Sequence, residues 1–341
     1  MAELRLEELR GKIKQGDLAG CYLFYGKERY LLEHYVRELR KAVLGGEDDP
    51  FNLRVLEGKN LSMQELADAV DAYPSFAERT LVEVRDYGLF SASEEETKRL
   101  ISLLGDLPEY CCLLFLFDAL EYKPDKRKKQ LSQALRDFVN TVEFPLQGQG
   151  ELTRWVQKHF AARGKEIGPE EAAYLLFLCG SEMDNLANEI GKIAVYAPEK
   201  TIQREDIDAV AVPVVEAQTF KLTDALGERN YDLAAELMYK LFQLSTEPIV
   251  INAAIGSQLR KLYASLLVKR SGGNAGTLMQ LLGSKSEYVP RQYLRLCSAF
   301  SEQWYKKMIR LSAEADHRMK STAEDGEDLL RTLFVTMAAQ R

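Results

Sequence analysis

Apolar positions along the first 145 or so residues come in two rhythms. Leu4, Leu6, Leu9 and Ile13 recur along one side of a helical wheel, which predicts an amphipathic helix over 4–15. The run CYLFY (21–25) is short and unbroken, as a buried strand is, and a helix follows from about Arg29 to Leu44. FNLRVLEG (51–58) reads as a strand closed by a glycine, and LSMQELADAVDAY (61–73) as a helix. Ser62 is placed to cap that helix, and Glu65, three residues later, completes a capping box. Past Pro74 and a turn comes a strand, TLVEVRD (80–86). A capped helix in SASEEETKRLISLLGDLP leads to the strongest strand, CCLLFLFDAL (111–120). A short basic helix and a last strand, TVEFPL (141–146), complete the segment.

Strand and helix thus alternate five times, the signature of a doubly wound, mostly parallel sheet. The run from Cys112 to Phe117 suits a central strand buried on both faces. After Pro145 the rhythm changes. LQGQGE is a polar, glycine-containing linker, and everything beyond it is helical in period. Short helices are expected near 151–163, 169–179, 182–196 and 204–211, and Val212-Pro213 marks a second boundary. Longer helices are expected at 217–226, 231–243, 248–270, 275–282, 290–298, 300–319 and 326–339. The expected plan is α/β plus all-α: a sheet domain over 1–146, a small helical domain over 147–211 and a larger helical domain over 212–341.

Composition narrows the class. The 341 residues are about half apolar and just over a quarter charged, as in a soluble globular protein of two or three domains. No run of 18 apolar residues exists, so no membrane span is expected. The amino terminus, MAELRLEELRGKIKQG, lacks the apolar core of a signal peptide, and a cytoplasmic location is expected. Five cysteines (Cys21, Cys111, Cys112, Cys179, Cys297) lie in apolar surroundings without C-x-x-C spacing, and His34, His159 and His317 lie on separate helices. Neither set points to a metal site, and buried reduced thiols are expected. Residues 211–341 hold 17 Lys+Arg against 14 Asp+Glu, whereas the rest of the chain holds 28 against 38. An acidic majority argues against a protein that coats nucleic acid by itself, while the mildly basic last third permits local contact.

The candidate chemistry sits where CYLFY meets Gly26 and Lys27 and a helix begins, the layout of a phosphate-binding loop. A working loop is G-x-x-x-x-G-K-[ST], with amides around the phosphates, a lysine on the β/γ-phosphates and a hydroxyl on magnesium. Here the loop is GKERYLLE: one glycine, no Ser or Thr after Lys27, and bulky Arg29, Tyr30 and Leu31 where backbone must approach a ligand. TLVEVRD ends in Arg85 and Asp86 rather than an acidic pair for magnesium. The topology is that of a nucleotide-binding fold and the site is incomplete, so no cofactor is expected.

YLFYGKERYLLEHYV, FNLRVLEG, YPSFAERTLVEVRD, LLFLFDALEYKPDKRKKQL with TVEFP, GSEMDNLANEIGKIAVY, IDAVAVPVVEAQTFKLTDAL and AEADHRMKS, in that order and spacing, resemble the delta subunit of bacterial DNA polymerase III. That family supplies the clamp-opening member of the sliding-clamp loader, and the resemblance covers essentially the whole chain. It implies an AAA+-like fold: a RecA-type sheet domain, a helical lid and a C-terminal helical collar that assembles with sister subunits. It also implies no productive ATP binding or hydrolysis by this chain, although the chain belongs to a polymerase holoenzyme. In ATP-hydrolysing loader subunits a Gly-Ser turn in the lid leads to a helix bearing an arginine that senses the γ-phosphate. Here the turn is Gly180-Ser181, and Met183 falls at the arginine position.

The resemblance implies a clamp-gripping apolar tip between the second helix and the next strand of the sheet domain. In this chain that is AYPSFAERT, with Tyr73, Pro74, Ser75 and Phe76 as the contact and Phe76 as the anchor. The family often has a large aliphatic residue just before the aromatic one. Ser75 stands there, leaving Tyr73 or Pro74 to supply the area. The alternative is that Phe76 packs inward beneath its loop. The implied partners are the sliding clamp (the beta subunit), other loader subunits through the collar, and primed DNA within the assembled loader; no membrane is implied. Ile249, Ile251, Ile255, Leu259 and Leu262 form a wide apolar face in the collar, either internal core or partner surface. KPDKRKK (123–129) carries five positive charges. Lys126, Arg127, Lys128 and Lys129 are candidates for DNA phosphates, against the alternative of a solvated helix start. Arg260, Lys261, Arg291 and Arg295 are weaker candidates. Two rival readings stand beside this one: an active AAA+ ATPase, or a helical adaptor on an inherited nucleotide-binding fold.

Overall fold

The computed structural model describes residues 4–46, 49–243, 247–284 and 287–339, so the outermost residues of the expected first and last domains lie outside the described residues. Two compact units divide the chain after Gln147.

In the first unit, elements run α1 (Leu6–Gln15), β1 (Gly20–Gly26), α2 (Arg29–Leu44), β2 (Leu53–Glu57), α3 (Met63–Asp71), β3 (Thr80–Arg85), α4 (Glu94–Gly105), β4 (Cys111–Leu116), α5 (Lys129–Phe138) and β5 (Val139–Phe144). The strands form one sheet in the order β2-β3-β4-β1-β5, and every pair is parallel. This is the doubly wound parallel sheet that the alternating rhythm predicts, and it fits the RecA-type domain of the AAA+-like fold that the resemblance implies. Ser62 and Glu65 close the expected capping box on α3, and Ser93 and Glu96 do the same on α4. All six residues of β4 are buried, because helices cover both faces. On one face α1 and α2 bring Leu9, Leu32, Val36 and Leu39 against Tyr22, Phe24, Cys112 and Leu114. On the other, α3, α4 and α5 bring Leu66, Val70, Leu100, Leu104 and Leu131 against Leu23, Val82, Leu113 and Phe115.

Three expectations shift. The strand expected over 51–58 is only Leu53–Glu57, because Gly58–Asn60 turns into a single 3-10 helical turn. The strand expected to reach Leu120 ends at Leu116, because the backbone of 118–120 is held by a carboxylate from β3's end instead of by a neighbouring strand. The last strand starts at Val139, two residues early, since α5 runs straight into it. Glu83 is fully buried in β3, although its charge suggests an outward position. Arg40 of α2 explains it: Nε and Nη2 reach one Glu83 oxygen at 3.0 and 2.6 Å, while Arg85 Nε reaches the other at 2.7 Å. A buried charge is tolerable only when paired in this way.

The second unit begins with α6 (Gln149–Ala161), β6 (Glu166–Ile167), α7 (Pro169–Cys179), α8 (Met183–Tyr196), β7 (Thr201–Ile202) and α9 (Arg204–Val210). It continues with α10 (Val215–Gly227), α11 (Tyr231–Gln243), α12 (Pro248–Arg270), α13 (Ala275–Leu282), α14 (Tyr288–Leu296), α15 (Glu302–Ser321) and α16 (Gly326–Ala339). The expectation of helix alone after Pro145 needs correction. β6 and β7 pair in parallel as a two-residue ribbon, too short to register as a period. α12 is the axis of the larger helical part. Ile251, Ile255, Leu259 and Leu262 are buried against α10, α15 and α16, through residues such as Leu222, Trp304, Met308 and Leu330. Ile249, expected on the same face, is only partly buried.

Candidate functional site

Parallel strands give the sheet two unlike ends. At the carboxyl ends of β1, β4 and β5 lies a cleft of about 500 Å³ lined by Tyr25, Gly26, Lys27, Asp118, Tyr122 and Glu143 among others. In an open parallel sheet this end is the ordinary ligand position. Gly26 has φ 147°, and a Cβ there would lie 2.2 Å from the Phe144 carbonyl oxygen, so only glycine fits. Only Lys27 and Glu28 separate β1 from α2. The Glu28 amide donates to the Phe144 carbonyl at 3.0 Å, so this amide is turned to the sheet and not to a phosphate. Arg29 Nη2 donates to Asp118 Oδ2 at 2.8 Å beside the cleft. At the end of β3, Asp86 (φ 54°) accepts the backbone N–H groups of Asp118, Ala119 and Leu120 at 3.0, 3.1 and 2.8 Å. Asp86 and Asp118 are thus both engaged by other groups of the protein. Lys27 is exposed. Among the described residues, no three His, Cys, Asp or Glu side chains are placed to hold a metal ion. In the second unit, Gly180 takes φ 82°, Ser181 is exposed, and Met183 is buried as the first residue of α8.

The amino end of the same sheet carries the tip. Residues 72–79 join α3 to β3. Phe76 is fully exposed and stands at φ 55°, a left-handed backbone that bulky residues rarely adopt. The alternative of an inward-packed Phe76 is thereby excluded for this chain. Tyr73, also exposed, stacks on Tyr110 with ring centroids 5.0 Å apart. Tyr110 in turn donates its hydroxyl to the Asp71 carbonyl at 2.9 Å. Pro74 is half-buried and Ser75 exposed. On the far leg, Arg79 Nη1 reaches the Gly16 carbonyl at 3.2 Å. The sequence reading missed two neighbours. Phe51, 69 % exposed, and buried Asn52 stand at the same end of the sheet, just before β2. Both read along the chain as the opening of a strand, and nothing in their spacing marks them out.

The four basic candidates separate. Arg127 is tied to Asp125 through Nε and Nη2, and Lys128 Nζ donates to the Ala92 carbonyl. Lys126 and Lys129 line an apolar-floored cleft of about 710 Å³ with Phe90, Tyr122 and Arg136. In the larger helical part, Arg291 pairs with Glu287 and Arg295 with Asp224.

Two family models match the chain, "DNA polymerase III, delta subunit" over residues 22–144 and "DNA polymerase III delta subunit, C-terminal domain" over 216–337. The chain is 27 % identical over 338 residues to DNA polymerase III subunit delta of Bacillus subtilis, covering 96 % of this chain and 95 % of that one. It is 24 % identical over 328 residues to a probable DNA polymerase III subunit delta of Aquifex aeolicus, covering 94 % and 91 %. Among solved structures, the Bacillus subtilis DNA clamp loader delta protein aligns over 100 % of both chains, with a TM-score of 0.58 at 23 % identity.

Proposed function

This chain belongs to the DNA polymerase III delta-subunit family, and we propose that within a clamp loader it is the member that grips the sliding clamp and opens it. The observation that carries the reading is Phe76: a fully exposed aromatic ring on a short loop, held in a backbone conformation that points it away from its own core. Exposed aromatic groups of this kind supply most of the energy of small interfaces when they enter a pocket. Tyr73, Pro74 and Ser75 flank the ring. Seating it in a pocket near one interface of a closed ring favours the open ring by differential binding, with no bond made or broken by this chain.

The internal pairing of charged groups at the other end of the sheet supports a non-catalytic role. Gly26 and Lys27 keep the outline of a phosphate loop, while Arg29 is paired with Asp118 and Asp86 binds the backbone of 118–120. In this reading sister subunits bind the ATP and decide when the tip is free. Residues 147–211 serve as the lid, and 212–341 as the collar that meets those subunits. Lys126 and Lys129 are the better candidates for contact with primed DNA, because Arg127 and Lys128 are engaged within the protein.

The test is calorimetric titration of the protein with its cognate sliding clamp, without nucleotide, comparing wild type with Phe76→Ala. Tight wild-type binding that the variant loses by about 2–4 kcal/mol is the expected result for a hot spot. Unaltered binding by the variant would move the site elsewhere. No binding by folded wild-type protein would overturn the reading.

A further inference from the structure

The tip is not a free loop. Ser75, the residue before Phe76, is bound on both sides of its backbone by one side chain: its N–H donates to Asn52 Oδ1 at 2.7 Å, and its carbonyl accepts from Asn52 Nδ2 at 2.9 Å. A carboxamide paired this way imitates one rung of a sheet, out beyond the point where β3 begins. Asn52 is 2 % exposed, so this pair is shielded from water. Its second Nδ2 hydrogen goes to Asp49 Oδ2 at 2.7 Å. Asp49 Oδ1 also accepts the N–H groups of Phe51 and Asn52 at 2.9 and 3.1 Å. The Asn52 carbonyl accepts from Leu81 at 2.9 Å, which ties the same residue to β3. The arrangement therefore fixes two phenyl groups, Phe51 and Phe76, one residue to either side of a single bridge. Both are exposed.

We infer that the turn Asp49–Asn52 is the second half of the docking site: Phe51 is a second apolar anchor, and Asn52 is a positioning residue that holds Phe76 ready. This inference rests on the clamp-gripping reading, and its occupant is the same ring surface that receives Phe76. Continuity with the tip is the argument for that occupant. Ser75 gives the tip no apolar side chain of its own beside Phe76, and Tyr73 is already stacked on Tyr110. Phe51 supplies exposed aromatic area next to the bridge, from a different loop. Asn52 acts through order rather than contact. Phe76 at φ 55° is an unfavourable conformation that an untethered loop would leave. A tether in place before binding removes the cost of ordering the loop during it.

The experiment titrates the sliding clamp with wild type, Phe76→Ala, Phe51→Ala and Asn52→Ala, well below the melting midpoint of each, and follows amide exchange at 75–78 in the free proteins. Phe51→Ala is expected to weaken binding by about tenfold or more with exchange unchanged, as an anchor does. Asn52→Ala is expected to weaken it about tenfold with a larger entropic penalty and faster exchange at 75–78, as loss of pre-organisation does. A purely structural Asn52 would lower the melting midpoint and leave the affinity alone. If Asn52→Ala fails to fold, Phe51→Ala, a change at an exposed side chain, still decides. Clamp binding that Phe76→Ala abolishes but Phe51→Ala and Asn52→Ala leave at wild-type strength would overturn this inference and leave the docking reading standing. A wild type that does not bind the ring would overturn both.

Discussion

Arg29 and Asp118 are 89 residues apart in the chain, yet Arg29 Nη2 stands 2.8 Å from Asp118 Oδ2, at the carboxyl end of the sheet. The pair is formed by the first residue of α2 and the loop after β4, the two elements that would otherwise frame a phosphate. Asp86 holds that same loop through three backbone amides, so both sides of the loop are fixed by the protein.

Removing the lysine should therefore change little. Lys27→Ala is expected to leave stability within about 0.5 kcal/mol, because the side chain is exposed. Titration with a fluorescent ATP analogue should give no saturable signal for wild type or for Lys27→Ala. Saturable wild-type binding that the variant loses would revive the ATPase reading.

Gly26→Ala is the opposite case. The added methyl would meet the Phe144 backbone at 2.2 Å, where neither strand can yield without breaking the β1–β5 pairing. Overpacking and an unfavourable φ together are expected to cost about 2–4 kcal/mol, measured by denaturant unfolding. A cost below about 0.5 kcal/mol would mean the strands separate more easily than their packing implies.

At Phe76 the ring and its backbone can be examined apart. Glycine accepts φ 55° without strain, so Phe76→Gly should match or slightly exceed wild-type stability while losing clamp affinity. Alanine lacks that conformational freedom and should not gain in the same way. Thermal midpoints alongside binding constants for the two variants check this, and a glycine variant that binds normally would dismiss the ring as anchor.

Glu83 gives a prediction about the core. Arg40→Met leaves the Glu83 carboxylate buried and paired with Arg85, and the variant should lose about 3 kcal/mol of stability by urea unfolding. Arg40→Met combined with Glu83→Leu should recover most of that loss, since an apolar pair of similar volume satisfies the same space. A double variant no better than the single would show that the charges, rather than the volume, hold α2 to β3.

The cysteines predict a pH dependence. All five are buried and free of disulfides. Burial pushes the Cys111 thiol up to about 11 and Cys179 to about 12, and raises Cys21 and Cys112 as well. A raised thiol pKa means the folded state keeps its proton longer than the unfolded chain. The resulting stability is complete below the unfolded value, near ~8.5, and falls as pH climbs above it. At pH 8 an aromatic disulfide reagent should label these four slowly in native protein and rapidly after unfolding. Fast native labelling of Cys111 or Cys112 would show that the sheet opens locally.

Much of this protein was legible along its sequence, for a physical reason. Strand and helix rhythms, the Ser62–Glu65 and Ser93–Glu96 boxes and the unbroken run of β4 are local consequences of local residues. The incompleteness of the phosphate loop was legible too, because chemistry that needs a second glycine and a hydroxyl is missing from adjacent positions. The two-residue ribbon of β6 and β7 was not, since two residues define no period. What only the tertiary structure decided is which distant groups meet. Arg40 above Glu83, Arg29 at Asp118, and Asn52 on the backbone of Ser75 are separated by 43, 89 and 23 residues. Glu83 and Asn52 are polar groups placed where water is scarce, and such a group is stable only if the folded chain supplies its partner. A sequence states which groups need partners; the packing of α2, β3 and the loops at the two ends of the sheet determines who the partners are.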